Sequence, residues 1–174
     1  GSGVGVAVLD SGLATHLDFS VVSSMTMIPN TSNSDNYGHG THVAGIIAGN
    51  SKAAFKVGLN YAGIAPGVNL MTVKVLNDQG QGQVSWVLAG IDWVLANRSS
   101  RNIRVVNMSF GMPAVQSYDV DPLCQATKKL YAAGIVTIAA AGNYGKAADG
   151  SIAYGSITSP GNSPWVITVG AVND

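Results

Sequence analysis

Five short runs in this chain are apolar with almost no alternation, and they restrict its fold more than any other feature. Residues 4–10 read VGVAVLD, 68–76 VNLMTVKVL, 103–109 IRVVNMS, 135–141 IVTIAAA and 165–172 WVITVGAV. A strand with one face in water alternates apolar and polar residues. A run without alternation has both faces covered. Helical periods lie between the runs. In 84–97, Val84, Val87, Leu88, Ile91, Val94 and Leu95 recur at helix spacing. Asp121 reads as an N-cap, Pro122 suits the first helical position, and the helix over LCQATKKLYAAG stops at Gly134. Strands alternating with helices predict an α/β fold, with a mostly parallel sheet and helices on both faces. Loops are predicted at 28–38, 50–62, 77–83, 111–121 and 142–164. No repeat or linker interrupts residues 1–174, which suit one domain.

Composition removes several function classes. With 47% hydrophobic and 10% charged residues, the chain has too much apolar surface to stay disordered. Nine basic residues balance nine acidic ones, so neither a nucleic acid nor an anionic membrane is an expected partner. Arg98, Arg101 and Arg104 form the only small basic group and are expected in a solvated loop. The single cysteine, Cys124, cannot form an internal disulfide. It falls on an apolar helix face and is expected to be a buried small hydrophobe. No run of 18 apolar residues predicts a membrane-spanning helix, and no signal-peptide pattern opens the chain. Gly1-Ser2-Gly3-Val4-Gly5 fails as a dinucleotide fingerprint, because Val6 stands where the third glycine belongs and the run precedes its strand.

In open α/β sheets, ligands bind beyond the carboxyl ends of the strands. Three polar residues stand there with a glycine within two positions: Asp10, Ser109 and Asn143. Asp10 either caps the next turn or orients a histidine. Asn143, after Ala139-Ala140-Ala141-Gly142, either favours a turn or directs its amide at a developing oxyanion. In GHGTHVAGIIAG (38–49), His39 and His42 sit at helical spacing. A metal reading is weak, since Gly40 and Thr41 lie between them and no glutamate is near. His42, beside Val43 and Ala44, is expected to be a hydrogen-bonded core residue.

Taken in order, VAVLDSGL, GHGTHVAGIIAG, VNMSFG and AAAGN resemble the subtilisin-like serine peptidases. Further similarity runs through IAPGVNLMTVKVLNDQGQGQVSW and SPGNSPWVITVGAVND, so the likeness covers nearly the whole chain. The resemblance implies the three-layer fold of that family and a serine endopeptidase acting on extended polypeptides. It matches Asp10 to the orienting aspartate, His39 to the general base and Asn143 to the oxyanion donor. It matches Ser109-Phe110-Gly111 to one substrate-pairing segment and Gly80-Gln81-Gly82 to the strand opposite. Ala140 and Gly142 would floor the specificity pocket. Such peptidases hold substrate as an added strand. Tyr144 stands where the family often has glutamate, and Thr158 where it commonly has glycine.

The family's nucleophile follows in the order Asp, His, Ser, within a GTSMA-type motif that does not occur here. Ser109 guides substrate in such enzymes and does not attack. The expectation is a partial peptidase domain, inactive or nearly so alone, needing a companion segment or chain that supplies the serine. The competing readings are a non-catalytic peptide-binding pseudo-peptidase and an inactive structural fragment. No cofactor is needed for the chemistry. The resemblance implies structural calcium near 49–63, although that loop holds no acidic residue. It also implies an extracellular location.

Overall fold

The computed structural model describes residues 1–171, except for the side chains of Val21 and Val22. Its elements are β1 (Gly5–Asp10), β2 (Val21–Thr26), α1 (His39–Ala48), α2 (Lys52–Phe55), β3 (Asn69–Lys74), α3 (Val84–Asn97), β4 (Ile103–Met108), α4 (Pro122–Ala132), β5 (Val136–Ala140) and β6 (Ile167–Val169). The strands form one sheet, ordered β2-β3-β1-β4-β5-β6, and every neighbouring pair is parallel. This is the α/β arrangement that the unalternating runs predict.

The side chains of β1 show why its sequence does not alternate. Val6 and Val8 pack with Ala44 and Ala48 of α1. Ala7 and Leu9 belong to the larger core beneath α3 and α4, with Val87, Ile91 and Leu130. All six residues of β1 are buried. Each Val or Leu taken fully from water contributes about 1.5–3 kcal/mol, so both faces select apolar residues until the strand ends at Asp10. Helix α3 buries Val87, Ile91 and Val94, while Val84, Leu88 and Leu95 pack at the core margin. Helix α4 starts as expected. The Asp121 carboxylate accepts the Leu123 and Cys124 amides, at 2.9 and 3.0 Å, and Pro122 takes the first turn.

Several expectations need correction. Strand β2 is not legible in VVSSMT, because an edge strand that pairs only with β3 tolerates serines. Helix α2 lies inside the predicted loop 50–62; at four residues it is too short to show a period. Arg104 lies in β4, where it is exposed, and Arg101 is half-buried with its guanidinium 5.5 Å from the Trp93 ring centre. The predicted last strand shrinks to Ile167–Val169, and its residue 172 lies outside the described residues. Covering of both faces also fails at this end of the sheet. Val136, Ile167 and Val169 are about half exposed. Beside them, a cavity of about 350 Å³ opens on the α1 side, lined by Val6, Ile46, Ile47, Val105 and Ile138 among others. Cys124 is fully buried as expected, and desolvation pushes its thiol up to about 11, which leaves little thiolate. Among the described residues, no helix is long and apolar enough to cross a membrane.

Candidate active site

The exits of β1, β4 and β5 lie side by side on one edge of the sheet, because these strands are adjacent and parallel. Asp10 ends β1 and is 1% exposed. Its Oδ1 accepts the Ser11 amide at 2.7 Å and stands 2.7 Å from His39 Nδ1. The imidazole itself is 40% exposed. A carboxylate beside Nδ1 favours the tautomer with its proton there, an arrangement that lets Nε2 act as a base. The other carboxylate oxygen, Oδ2, is buried with no hydrogen-bond partner among the described residues.

His39 is the first residue of α1, so the helix terminus sets its position. Gly40 makes that close approach feasible, since a β-carbon there would collide with the Gly12 carbonyl and come within 3.2 Å of Asp10 Cβ. The terminus is tied down by Asp35, which the sequence did not single out. Its Oδ1 accepts the Gly38 amide (2.8 Å) and the Ser11 hydroxyl (2.9 Å). Its Oδ2 accepts the Thr41 amide (2.8 Å) and hydroxyl (2.6 Å). The Gly40 amide in turn donates to Ser11 Oγ at 2.9 Å. Two helical N–H donors that lack intrahelical partners are thereby satisfied, and the Asp10 turn is joined to the His39 helix.

Burial alone would raise the Asp35 carboxyl. The hydrogen bonds from Thr41, the Gly38 and Thr41 amides and Ser11 outweigh it and hold the group below its ordinary 3.8. A carboxyl that binds its proton less readily folded than unfolded stabilises the fold fully above the unfolded value. That contribution is lost as pH falls through the lower folded value. Acidification below about pH 4 is therefore expected to loosen the start of α1. Amide exchange at Gly38 and Thr41 should accelerate between pH 5 and 3, beyond the intrinsic pH effect, in the native protein and not in Asp35→Asn. Equal acceleration in both would contradict this role.

Lys74 supports the same turn from below. It is 1% exposed, and Nζ donates to the Ser11 carbonyl (2.8 Å), the Ser34 carbonyl (2.8 Å) and Asp78 Oδ1 (2.7 Å). Its three donors meet three acceptors. Asp78 also accepts from Asn36 at 2.9 Å, and these two partners hold its carboxyl below the usual range. Lys74 thus links the Asp10 turn, the loop before His39 and the loop that leads to Gly80.

Gly80, Gln81 and Gly82 form one lip of a cleft of about 300 Å³, and Phe110 and Gly111 the other, over a floor that includes Leu76 and Leu123. The Tyr37 ring connects this lip to His39. Its centre lies 6.5 Å from the imidazole, and a β-carbon on Gly80 would strike the Tyr37 ring. Ser109 leaves β4 and accepts a hydrogen bond from Asn107 Nδ2 at 2.9 Å. Ala140 ends β5, Gly142 turns with φ 96°, and Asn143 is exposed with its amide unpartnered among the described residues. Thr158, 1% exposed, lies against Gly111 and Gly142, where a β-carbon would come within 2.7 and 2.5 Å of its side chain.

His42 departs from expectation. It is exposed, because α1 buries Gly40, Ala44 and Ala48 and His42 falls on another side of the helix. Among the described residues, no three His, Cys, Asp or Glu side chains cluster. In 49–63, side-chain oxygens accept backbone amides. Asn50 Oδ1 accepts the Lys52 amide, Asn60 Oδ1 the Ala62 amide and Ser51 Oγ the Tyr61 amide. Asp18, the carboxylate that reaches the loop, accepts the Ala53 amide at 2.6 Å.

The subtilase family model matches residues 1–174. Subtilisin E of Bacillus subtilis (strain 168) is 39% identical over 176 residues, which cover 99% of this chain and 42% of that protein. Serine protease AprX of the same organism is 39% identical over 183 residues, covering 100% of this chain and 39% of AprX. Subtilisin Savinase of Lederbergia lenta is 38% identical over 155 residues, covering 88% of this chain and 52% of Savinase. The chain therefore spans about half the length of these relatives or less. A match over its whole length, with Asp10 and His39 joined at the head of a parallel sheet, leaves one assignment: the chain belongs to the subtilase family.

Proposed function

We propose that residues 1–174 form the first part of the catalytic domain of a subtilisin-like serine endopeptidase, completed by a segment that carries the nucleophilic serine. The contact between His39 Nδ1 and buried Asp10 carries this reading. In it, Asp10 keeps the imidazole in the tautomer with a free Nε2 and stabilises the imidazolium that forms. His39 takes the proton from the serine as it attacks the scissile carbonyl, then returns it to the leaving amine. Asn143 donates its side-chain amide to the oxyanion. The substrate lies extended between Gly80-Gln81-Gly82 and Ser109-Phe110-Gly111, bonded through its backbone.

Two observations support a completing segment. Val136, Ile167 and Val169 stay about half exposed at the β5 and β6 end of the sheet, beside an apolar cavity that an added segment would cover. Asp10 Oδ2 is buried without a donor, an arrangement that costs about 1–3 kcal/mol until one is supplied. Action outside the cell is part of this reading, on the resemblance to a family in which secretion is common. The test compares residues 1–174 alone with a longer chain that includes the completing segment, on an extended peptide. Hydrolysis by the longer chain only is expected. Efficient hydrolysis by residues 1–174 alone would contradict the reading.

Pocket chemistry sets the expected preference. Ala140, Gly142 and Thr158 offer no charge, and Tyr144 takes the sequence position where the family often has a glutamate that would attract basic side chains. Peptides with Phe before the scissile bond should exceed their Lys counterparts by about tenfold in kcat/KM, the scale of one pocket contact. Faster turnover of the Lys peptide would overturn this assignment.

A further inference from the structure

The segment that carries Thr158 is held from behind by a buried carboxylate. Thr158 N donates to the Ala141 carbonyl at 3.0 Å, which ties the segment to the exit of β5. Ser159 and Met112 exchange two backbone hydrogen bonds, each 2.9 Å, which tie it to the exit of β4. The segment is therefore wedged between the strand exits of β4 and β5. Any shift in it moves the Thr158 side chain, which already contacts the space above Gly111 and Gly142.

Behind Ser159 lies the head of α4. Asp121 Oδ1 accepts the Ser159 hydroxyl at 2.9 Å, in addition to the two amides of its own helix. Asp121 is 1% exposed and Ser159 0%. Capping α4 needs only the two amides, and a serine or asparagine would serve as well. The third bond reaches 38 residues along the chain and serves the pocket segment. Burial strengthens a charge-assisted bond of this kind. A second grip joins Thr127 Oγ1 and Ser163 Oγ at 2.9 Å, nearly two turns further along the same helix.

We propose that Asp121 is a positioning residue for the specificity pocket: through Ser159 it fixes Thr158 at the pocket base, and so sets which side chain the pocket accepts. This rests on the peptidase reading above. The carboxylate touches no substrate, and its effect is transmitted by one hydroxyl and the backbone pair that flanks it.

The test uses the complete, serine-bearing enzyme and two peptide series, with Phe or Ala before the scissile bond. Ser159→Ala removes the hydroxyl and leaves the helix cap intact. Asp121→Ser keeps a capping oxygen and loses the reach. Both should change the Phe-to-Ala ratio of kcat/KM by about fivefold or more, mainly through KM, since a misplaced pocket wall alters binding more than chemistry. Asp121→Asn keeps the accepting oxygen and should stay within about twofold of the parent, as a rescue by the conservative variant. An unchanged ratio in Ser159→Ala and Asp121→Ser, even with a lower Tm, would overturn the proposal and leave the peptidase reading standing. Failure of the parent enzyme to cleave either series would overturn the reading itself, and the proposal with it.

Discussion

Replacing His39 with alanine in the complete enzyme is expected to lower kcat by about 10⁶, for which subtilisin is itself the reference case, and Asp10→Asn by about 10⁴, the value known for a chymotrypsin-type triad. The gap between the two has a physical cause here. In the proposed mechanism His39 is the base, so its removal leaves no group to take the serine proton. Asp10 acts only through the imidazole, 2.7 Å from Nδ1, and a residual fraction of correctly oriented histidine survives without it. Asn143→Leu should cost about 10²–10³ with KM little changed, again the value known for subtilisin, because the amide meets charge only in the transition state. Pre-steady-state and steady-state kinetics on one peptide separate these cases. A His39→Ala enzyme within about tenfold of the parent would remove the general base from this account.

Lys74→Met should lower stability by about 3 kcal/mol or more, with little change in side-chain volume. Methionine keeps the apolar stem and loses the ammonium. The Ser11 and Ser34 carbonyls are then left without their buried donor, and each such loss costs about 1–3 kcal/mol. Asp78 is about half exposed, so its lost pairing adds little in water. Against a total of about 5–15 kcal/mol, this is a large share. Differential scanning calorimetry should show a Tm lower by about 10 °C. A shift under about 2 °C would show that the three bonds at Nζ contribute little. Peptidase activity at low temperature should also fall, because Ser11 joins the Asp10 turn to Asp35.

Sequence pattern reaches some of this molecule and not the rest. Strand β1 was legible to its last residue, because burial on both faces excludes polar side chains until the chain leaves the sheet at Asp10. Helix α4 was legible at both ends, through Asp121-Pro122 and Gly134. The pairing of Asp10 with His39 came from motif order. Periodicity could not have supplied it, since the two lie 29 residues apart. The same limit hid Asp35, Lys74 and Tyr37. Ser11 meets Asp35 24 residues on and Lys74 63 residues on, and no local pattern marks such partners. His42 was misplaced because its apolar neighbours suggested burial. Helix α1 in fact turns Gly40, Ala44 and Ala48 inward. The continuous apolar runs at 135–141 and 165–172 predicted two covered faces. Val136 and Ile167 are instead about half exposed; in the proposed reading the completing segment covers them.

The most direct test is a fluorophosphonate label on the longer chain, followed by peptide mapping with mass spectrometry. The account predicts a single labelled serine outside residues 1–174, with labelling abolished in His39→Ala. A label on Ser109 or any other serine within residues 1–174, or labelling that persists without His39, would contradict it.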